Sequence, residues 1–135
     1  MIEAYAWYAL KMRMDQWVET RVMYPNEIFT PQATEAFLIV QDVGLDVLDS
    51  VIGYNCGSEY RGLFNVSVMT PLNSWDYSRQ KGLACRVADH FEYGASYDYE
   101  GVSVKIFQRP RIIGNTSQDK GHNRLEVQVN WLAWA

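Results

Sequence analysis

The chain has 135 residues, 48% hydrophobic and 21% charged, a length that suits one domain burying roughly two-thirds of the surface its unfolded form exposes. Sixteen Asp and Glu outweigh twelve Lys and Arg, for a net charge of −4, which argues against a broad nucleic-acid-binding face. No run approaches the ~20 apolar residues of a membrane span. The N-terminal stretch MIEAYAWYALK carries Glu3 instead of the basic start of a secretory signal, so the expectation is a soluble intracellular protein.

From Ile2 to about Thr20 the apolar residues Trp7, Leu10, Met14, Trp17 and Val18 recur at helical spacing, and the spacing predicts an amphipathic helix. Pro25 ends it, because proline lacks an N–H and restricts the residue before it. The next segment, YPNEIFTP (Tyr24–Pro31), places two prolines in eight residues. AFLIVQDV (Ala36–Val43) is short and rich in branched residues, which predicts a strand. Between Gly44 and Tyr60 the sequence allows either an extension of that strand or a short helical turn, followed by a turn at its Gly and Asn residues.

YRGLFNVSVMTP (Tyr60–Pro71) alternates, with Phe64, Val66 and Val68 on one face and Asn65 and Ser67 on the other. Asn73 or Ser74 is a natural N-cap for a second helix over Ser74–Phe91, whose apolar positions are Tyr77, Ala84, Val87, Ala88 and Phe91. Gly82 weakens that helix without excluding it. Tyr93–Gly101 reads as a polar, tyrosine-rich turn. Val102, Val104 and Ile106 alternate in a strand, and Arg109–Thr116 continues the sheet past Pro110. Ser117–Asn123 reads as a polar loop tip. Leu125, Val127, Val129 and Trp131 then alternate with Arg124, Glu126, Gln128 and Asn130 in a final strand. Strands bunched with two helices predict an α+β fold: a mostly antiparallel sheet with two main helices packed on one face.

Chemistry is sparse. Cys56 and Cys85 have no CxxC or other metal spacing, and without an export signal they are expected to be reduced thiols. Cys85 and His90 are five residues apart on a predicted helix, so they point in different directions and make a poor nucleophile–base pair. His122 has no nearby cysteine in sequence. Asp42, Asp46 and Asp49, like Asp98 and Glu100, lack the spacing of a calcium loop and read as solvated carboxylates. Arg109, Arg111, Lys120 and Arg124 are interspersed with Asp119 and Glu126, as on a mixed solvated surface. Neither a cofactor nor a metal is expected, and no catalytic residue is assigned. The nine Tyr and five Trp suit protein interfaces, and they serve equally well to fill a small core.

Taken in order, four segments resemble the tail terminator-like, or tail completion, family of long-tailed phages and prophages. YPNEIFTP resembles the family's W/Y-P-N-x-x-F-x-P pattern through Pro25, Asn26, Phe29 and Pro31. YRGLFNVSVMTP resembles Y-x-G-x-x-x-V-x-V-x-x-P through Tyr60, Gly62, Val66, Val68 and Pro71. LACRVADHF resembles its helix end, and QDKG before RLEVQVNW its C-terminal hairpin; only the Gly44–Tyr60 segment departs from the pattern.

The resemblance implies a single tail terminator-like domain over 1–135 and a structural virion protein rather than an enzyme. It implies a homo-oligomeric ring, commonly a hexamer in that family and in some members monomeric before assembly. Such a ring ends polymerisation of the major tail tube protein, meets the head connector proteins, and lets DNA pass without sequence-specific binding. The expected place is the tail or neck of the virion, with assembly in the host cytoplasm and no membrane. Another neck protein (head-closure or connector-stopper) and a small hotdog-like enzyme are the alternatives. Interface residues are expected in three loops: Tyr24–Pro31, Tyr93–Tyr99 and Ser117–Asn123, with Tyr24, Tyr93, Tyr97, Tyr99, Asp119, Lys120 and His122 as the candidates.

Overall fold

The computed structural model describes residues 2–49, 58–119 and 121–134. Among these residues two helices and seven strands follow in the order α1 (Ile2–Asp15), β1 (Arg21–Met23), β2 (Phe37–Asp49), β3 (Ser58–Pro71), α2 (Tyr77–His90), β4 (Ser96–Tyr99), β5 (Val102–Ile106), β6 (Arg111–Asp119) and β7 (His122–Trp134). The strands form one sheet in the order β1-β2-β3-β7-β5-β4, with β6 also pairing β7. Every pairing is antiparallel except β1 with β2. The α+β expectation therefore holds.

Strand β7 has β3 along one side. On its other side it pairs first with β6, up to Gln128, and then with β5, from Trp131. Its alternation came out as expected, with Leu125, Val127, Val129 and Trp131 buried against the helices. So did that of Val102, Val104 and Ile106 in β5. In the stretch Gly44–Asp49 the strand alternative is the one adopted, with a bulge between Val43 and Leu45. Residues 50–57, including Cys56, lie outside the described residues.

One core joins both helices to the sheet. Ala6, Ala9, Leu10 and Met14 of α1 and Gln80, Leu83, Ala84 and Val87 of α2 are buried on the same sheet face as Phe64, Val66 and Val68. Phe64 lies 5.7 Å from Trp7 and 5.3 Å from Phe91, ring centre to ring centre, so this one side chain ties α1, the end of α2 and the central strand together. In β3 the two faces are as expected, with Phe64, Val66 and Val68 on the core side, but Asn65 and Ser67 on the second face are buried as well, between β2 and β7.

Several boundaries moved, each for a local reason. Helix α1 ends at Asp15: the N–H groups of Gln16 and Trp17 turn back to the carbonyls of Arg13 and Met14, a tightened last turn. Val18 lies beyond the helix and is 90% exposed, so it is not part of the buried stripe. Tyr77 is exposed as well. The N-cap of α2 is Asp76, whose carboxylate accepts from the Arg79 N–H at 2.7 Å, and not Asn73 or Ser74. Asn73 has φ +66°, a turn conformation. The Tyr93–Gly101 turn contains a strand, β4. A two-residue turn joins it to β5, with Glu100 at φ +50° and Gly101 at φ +81°, the backbone twist that suits a tight hairpin.

Gly82 sits in the interior of α2, and a Cβ there would meet only the Arg86 Nη1, at an ordinary 3.7 Å. Gly82→Ala is expected to stabilise the fold by about 0.5–1 kcal/mol, by removing glycine's backbone freedom from the unfolded chain. Chemical denaturation would show it as a higher midpoint at unchanged slope. A lower midpoint would mean that α2 is packed more closely at Gly82 than the structure has it.

Candidate assembly surfaces

The YPNEIFTP segment is built by its own chemistry. The Glu27 N–H donates to the Tyr24 carbonyl at 3.0 Å, closing a four-residue turn. Pro25 takes the second position, where its fixed φ fits, and Asn26 the third, at φ +66°. That is the pattern of a type II turn, which needs a residue tolerant of positive φ at the third position. The two ends of the segment are anchored differently. Tyr24 is buried on the helix side, where its hydroxyl donates to Asp15 Oδ1 and its ring meets Trp7 edge-on. Burial first, and then the Asp15 carboxylate, hold its phenol proton on well above the usual tyrosine range.

Phe29 lies on the other side, between the Arg21 guanidinium, 3.9 Å from its ring centre, and Phe37 at 5.7 Å. Arg21 in turn makes a two-pronged ion pair with Glu35. The Gln32 N–H also donates to Glu35, at 3.0 Å. Arg21 first, and then this N–H, hold the Glu35 carboxyl down at about 2. The His122 ring nitrogen bonds to the Glu35 carbonyl at 2.9 Å and stacks edge-on with Phe37, which fastens the segment to β7. Between these anchors Pro25, Asn26, Glu27 and Ile28 are exposed, and Ile28, at 90%, is a bare apolar side chain.

The second candidate region lies at the far end of the sheet. Tyr97 and Tyr99 are not in a loop: they sit on β4, half-buried and facing α1, where Tyr99 stacks on Tyr5 and Tyr8 at 5.6 and 5.4 Å. Burial foremost holds the Tyr97 hydroxyl above its usual value. Tyr93 alone of the three is exposed, at 56%, and Arg109 approaches its ring at 5.7 Å. The two rim a cleft of ≈ 480 Å³ with Asp89 and Glu92.

The third candidate region is a strand pair more than a loop, since Asp119 pairs with His122 and Gln118 with Asn123. Lys120 lies outside the described residues. His122 is buried, not presented. Of the second motif, Val66, Val68 and Pro71 are interior positions, and Gly62 pairs opposite Trp131. They build the scaffold.

The two edges of the sheet differ. Beyond the three residues paired with β1, β2 continues from Val40 with β3 on one side only. A shallow depression there is lined by Met23, Tyr24, Pro25 and Val43 among others. At the other edge β4 pairs only with β5. A groove of ≈ 380 Å³ runs between it and α1, with Met12 exposed at its side. Cys85 is exposed on α2, while His90 is turned toward α1 and bonded to the Arg13 carbonyl. Among the described residues no group of three His, Cys, Asp or Glu could hold a metal, and no helix is long and apolar enough to cross a membrane.

Against known proteins, the model of a family described as phage tail terminator protein matches residues 6–131, nearly the full chain. The chain belongs to the phage tail terminator protein family. It is therefore a structural protein of the phage tail. No curated protein matches it. A solved structure of a protein without a descriptive name superposes with a TM-score of 0.70 at 17% identity, covering 97% of this chain and 94% of that one. A chain from the virion of a native gene transfer agent particle superposes at 0.62, also at 17% identity, covering 99% and 98%. Likeness at such identity concerns the fold alone. For this terminator family member, sequence reasoning singled out none of Arg21, Glu35 and Met12, and reached Ile28 only as part of the Tyr24–Pro31 loop. Arg21 and Glu35 are 14 residues apart and meet only because β1 lies beside β2. Ile28 was legible as an apolar residue within the Tyr24–Pro31 segment.

Proposed function

We propose that the protein forms a closed homohexameric ring at the head-proximal end of the tail tube, stops tube polymerisation and offers the head connector a joining surface. Membership of the terminator family over residues 6–131 carries the reading. A closed ring uses a head-to-tail interface, so each subunit needs two different mating surfaces. The unlike β2 and β4 edges, at opposite ends of one sheet, are consistent with that need. The likeness to a chain of a gene transfer agent virion supports assembly among other virion proteins; the partners proposed for this chain are the tail tube protein and the head connector. DNA passes through the ring without sequence-specific contacts, in keeping with a net charge of −4. The chain acts as one terminator domain, made in the host cytoplasm and ending in the virion.

The test is electron microscopy of the purified protein added to growing tubes of the phage's own tail tube protein. Six-fold rings capping one tube end, with growth arrested there, are expected. Tubes that lengthen at the same rate with and without the protein would sink the reading. A monomer in its absence would not, because the tube end itself can supply the template for closure.

A further inference from the structure

We infer that the subunits of this ring engage through the Tyr24–Pro31 turn, with Ile28 of one copy seated in the groove between α1 and β4 of the next; the inference rests on the ring reading above. Ile28 is 90% exposed, as bare as any large apolar residue described. It is held out by a turn that is fixed on both sides, by Tyr24 on Asp15 and by Phe29 between Arg21 and Phe37. A rigid apolar projection costs little ordering entropy on docking, which is the property of an interface anchor.

The groove has the complementary character. Its floor includes Ala9 and Tyr97, its wall the 53%-exposed Met12, and Arg13 and Asp98 stand at its rim. Glu27, next to Ile28, is exposed and negative; of the two charges on the groove it faces Arg13, whose guanidinium keeps its charge while bonded to the His90 carbonyl and Gln16, and stands away from Asp98 on the β4 side.

The occupant is a second copy for a topological reason. The Tyr24 end of the turn packs against the Trp7, Lys11 and Asp15 flank of α1. The groove lies on the Ala9, Met12 and Gln16 flank, beside the strand at the opposite end of the sheet. One chain cannot fill its own groove, yet each chain carries one projection and one groove pointing away from each other. That is the arrangement a head-to-tail contact repeats around a ring. A contact built on one loop is smaller than the roughly 1,200 Å² of stable complexes, so it assembles with help from the tube end.

The test uses Ile28→Cys combined with Met12→Cys in a Cys56→Ser, Cys85→Ser background, mixed with tail tubes and treated with a short bis-maleimide. A ladder of cross-linked subunits ending at one closed species is expected from the double variant, and nothing beyond dimers from either single variant. Ile28→Asp is expected to cap tubes roughly tenfold less well with unchanged thermal unfolding, and Ile28→Leu to cap normally. A double variant that forms rings by microscopy but gives no ladder overturns the contact and leaves the ring standing. Cross-links to the tube protein instead of to a second copy also overturn it. If the unmodified protein forms no ring on tubes, the ring reading falls and the contact with it.

Discussion

Phe64→Ala is expected to destabilise the protein by about 3–5 kcal/mol, since truncating a buried aromatic loses its transfer energy and leaves a cavity. Phe64 is fully buried, and it touches both helices through Trp7 and Phe91. Its neighbours along the strand, Val66 and Val68, are held in place by β2 and β7 on either side, so the sheet cannot close over the gap. The helices would have to sink instead, which α1 resists because its far end is tied through Asp15 to Tyr24. In a chain of this size the loss corresponds to a fall in Tm of roughly 10–20 °C. Calorimetry at neutral pH measures it directly. A loss below about 1 kcal/mol would mean that α1 and α2 do not both pack on this strand.

Arg13→Met is expected to cost about 1.5 kcal/mol, the low end for a hydrogen bond to a charged donor, because the site is only part-buried. The Arg13 Nε donates to the His90 carbonyl at 2.8 Å, and the His90 Nε2–H donates back to the Arg13 carbonyl at 2.6 Å. Each residue thus bonds to a carbonyl at the C-terminal end of the other helix: the His90 carbonyl takes the Arg13 guanidinium, and the Arg13 carbonyl takes the His90 ring beside the Gln16 N–H. Methionine keeps the apolar stem of Arg13 and removes the charge and the donors, so the loss, read by chemical denaturation, reports the bond to His90 together with the exposed contacts to Gln16 and the Tyr97 ring.

The same pair sets a pH dependence. His90 lies edge-on to Trp17 at 5.5 Å, and burial foremost holds its pKa below the usual histidine value. The folded state therefore favours the neutral ring. Its contribution is complete above the unfolded value, about 6.5, and is lost as pH falls through the lower folded value. Tm is expected to decline from pH 7 toward pH 5 in the native protein and to decline less in His90→Gln, which cannot take up the proton. Equal slopes in the two proteins would remove His90 from the account.

Much of this molecule follows from local chemistry that a sequence states openly. The alternation of β7 and β5 needs only a sheet with one greasy face, and it came out residue for residue at Leu125, Val127, Val129 and Val104. The turn at Pro25-Asn26 is likewise local: proline fixes one φ and asparagine tolerates the positive one. Both helices were legible from their spacing, with ends displaced by a few residues where capping and not periodicity decides.

Tertiary structure decided what depends on neighbours distant in the chain. Asn65 and Ser67 look like the outer residues of a half-exposed strand, but flanking strands bury them. Tyr97 and Tyr99 look like loop residues, because the four-residue strand β4 carries too few apolar positions to show a period of two. His122 looks like one because it opens β7 directly after a polar turn and is buried against Phe37 and the Glu35 carbonyl, distant in the chain. Nothing in the sequence sets Ile28 or Met12 apart as an exposed apolar residue. Only the fold places one on a turn at one edge of the sheet and the other beside a groove at the opposite edge. The family was written in the order of short motifs; the surfaces with which a subunit meets its neighbours arise from pairings between β1 and β2 and between β4 and β5, which no single stretch of sequence contains.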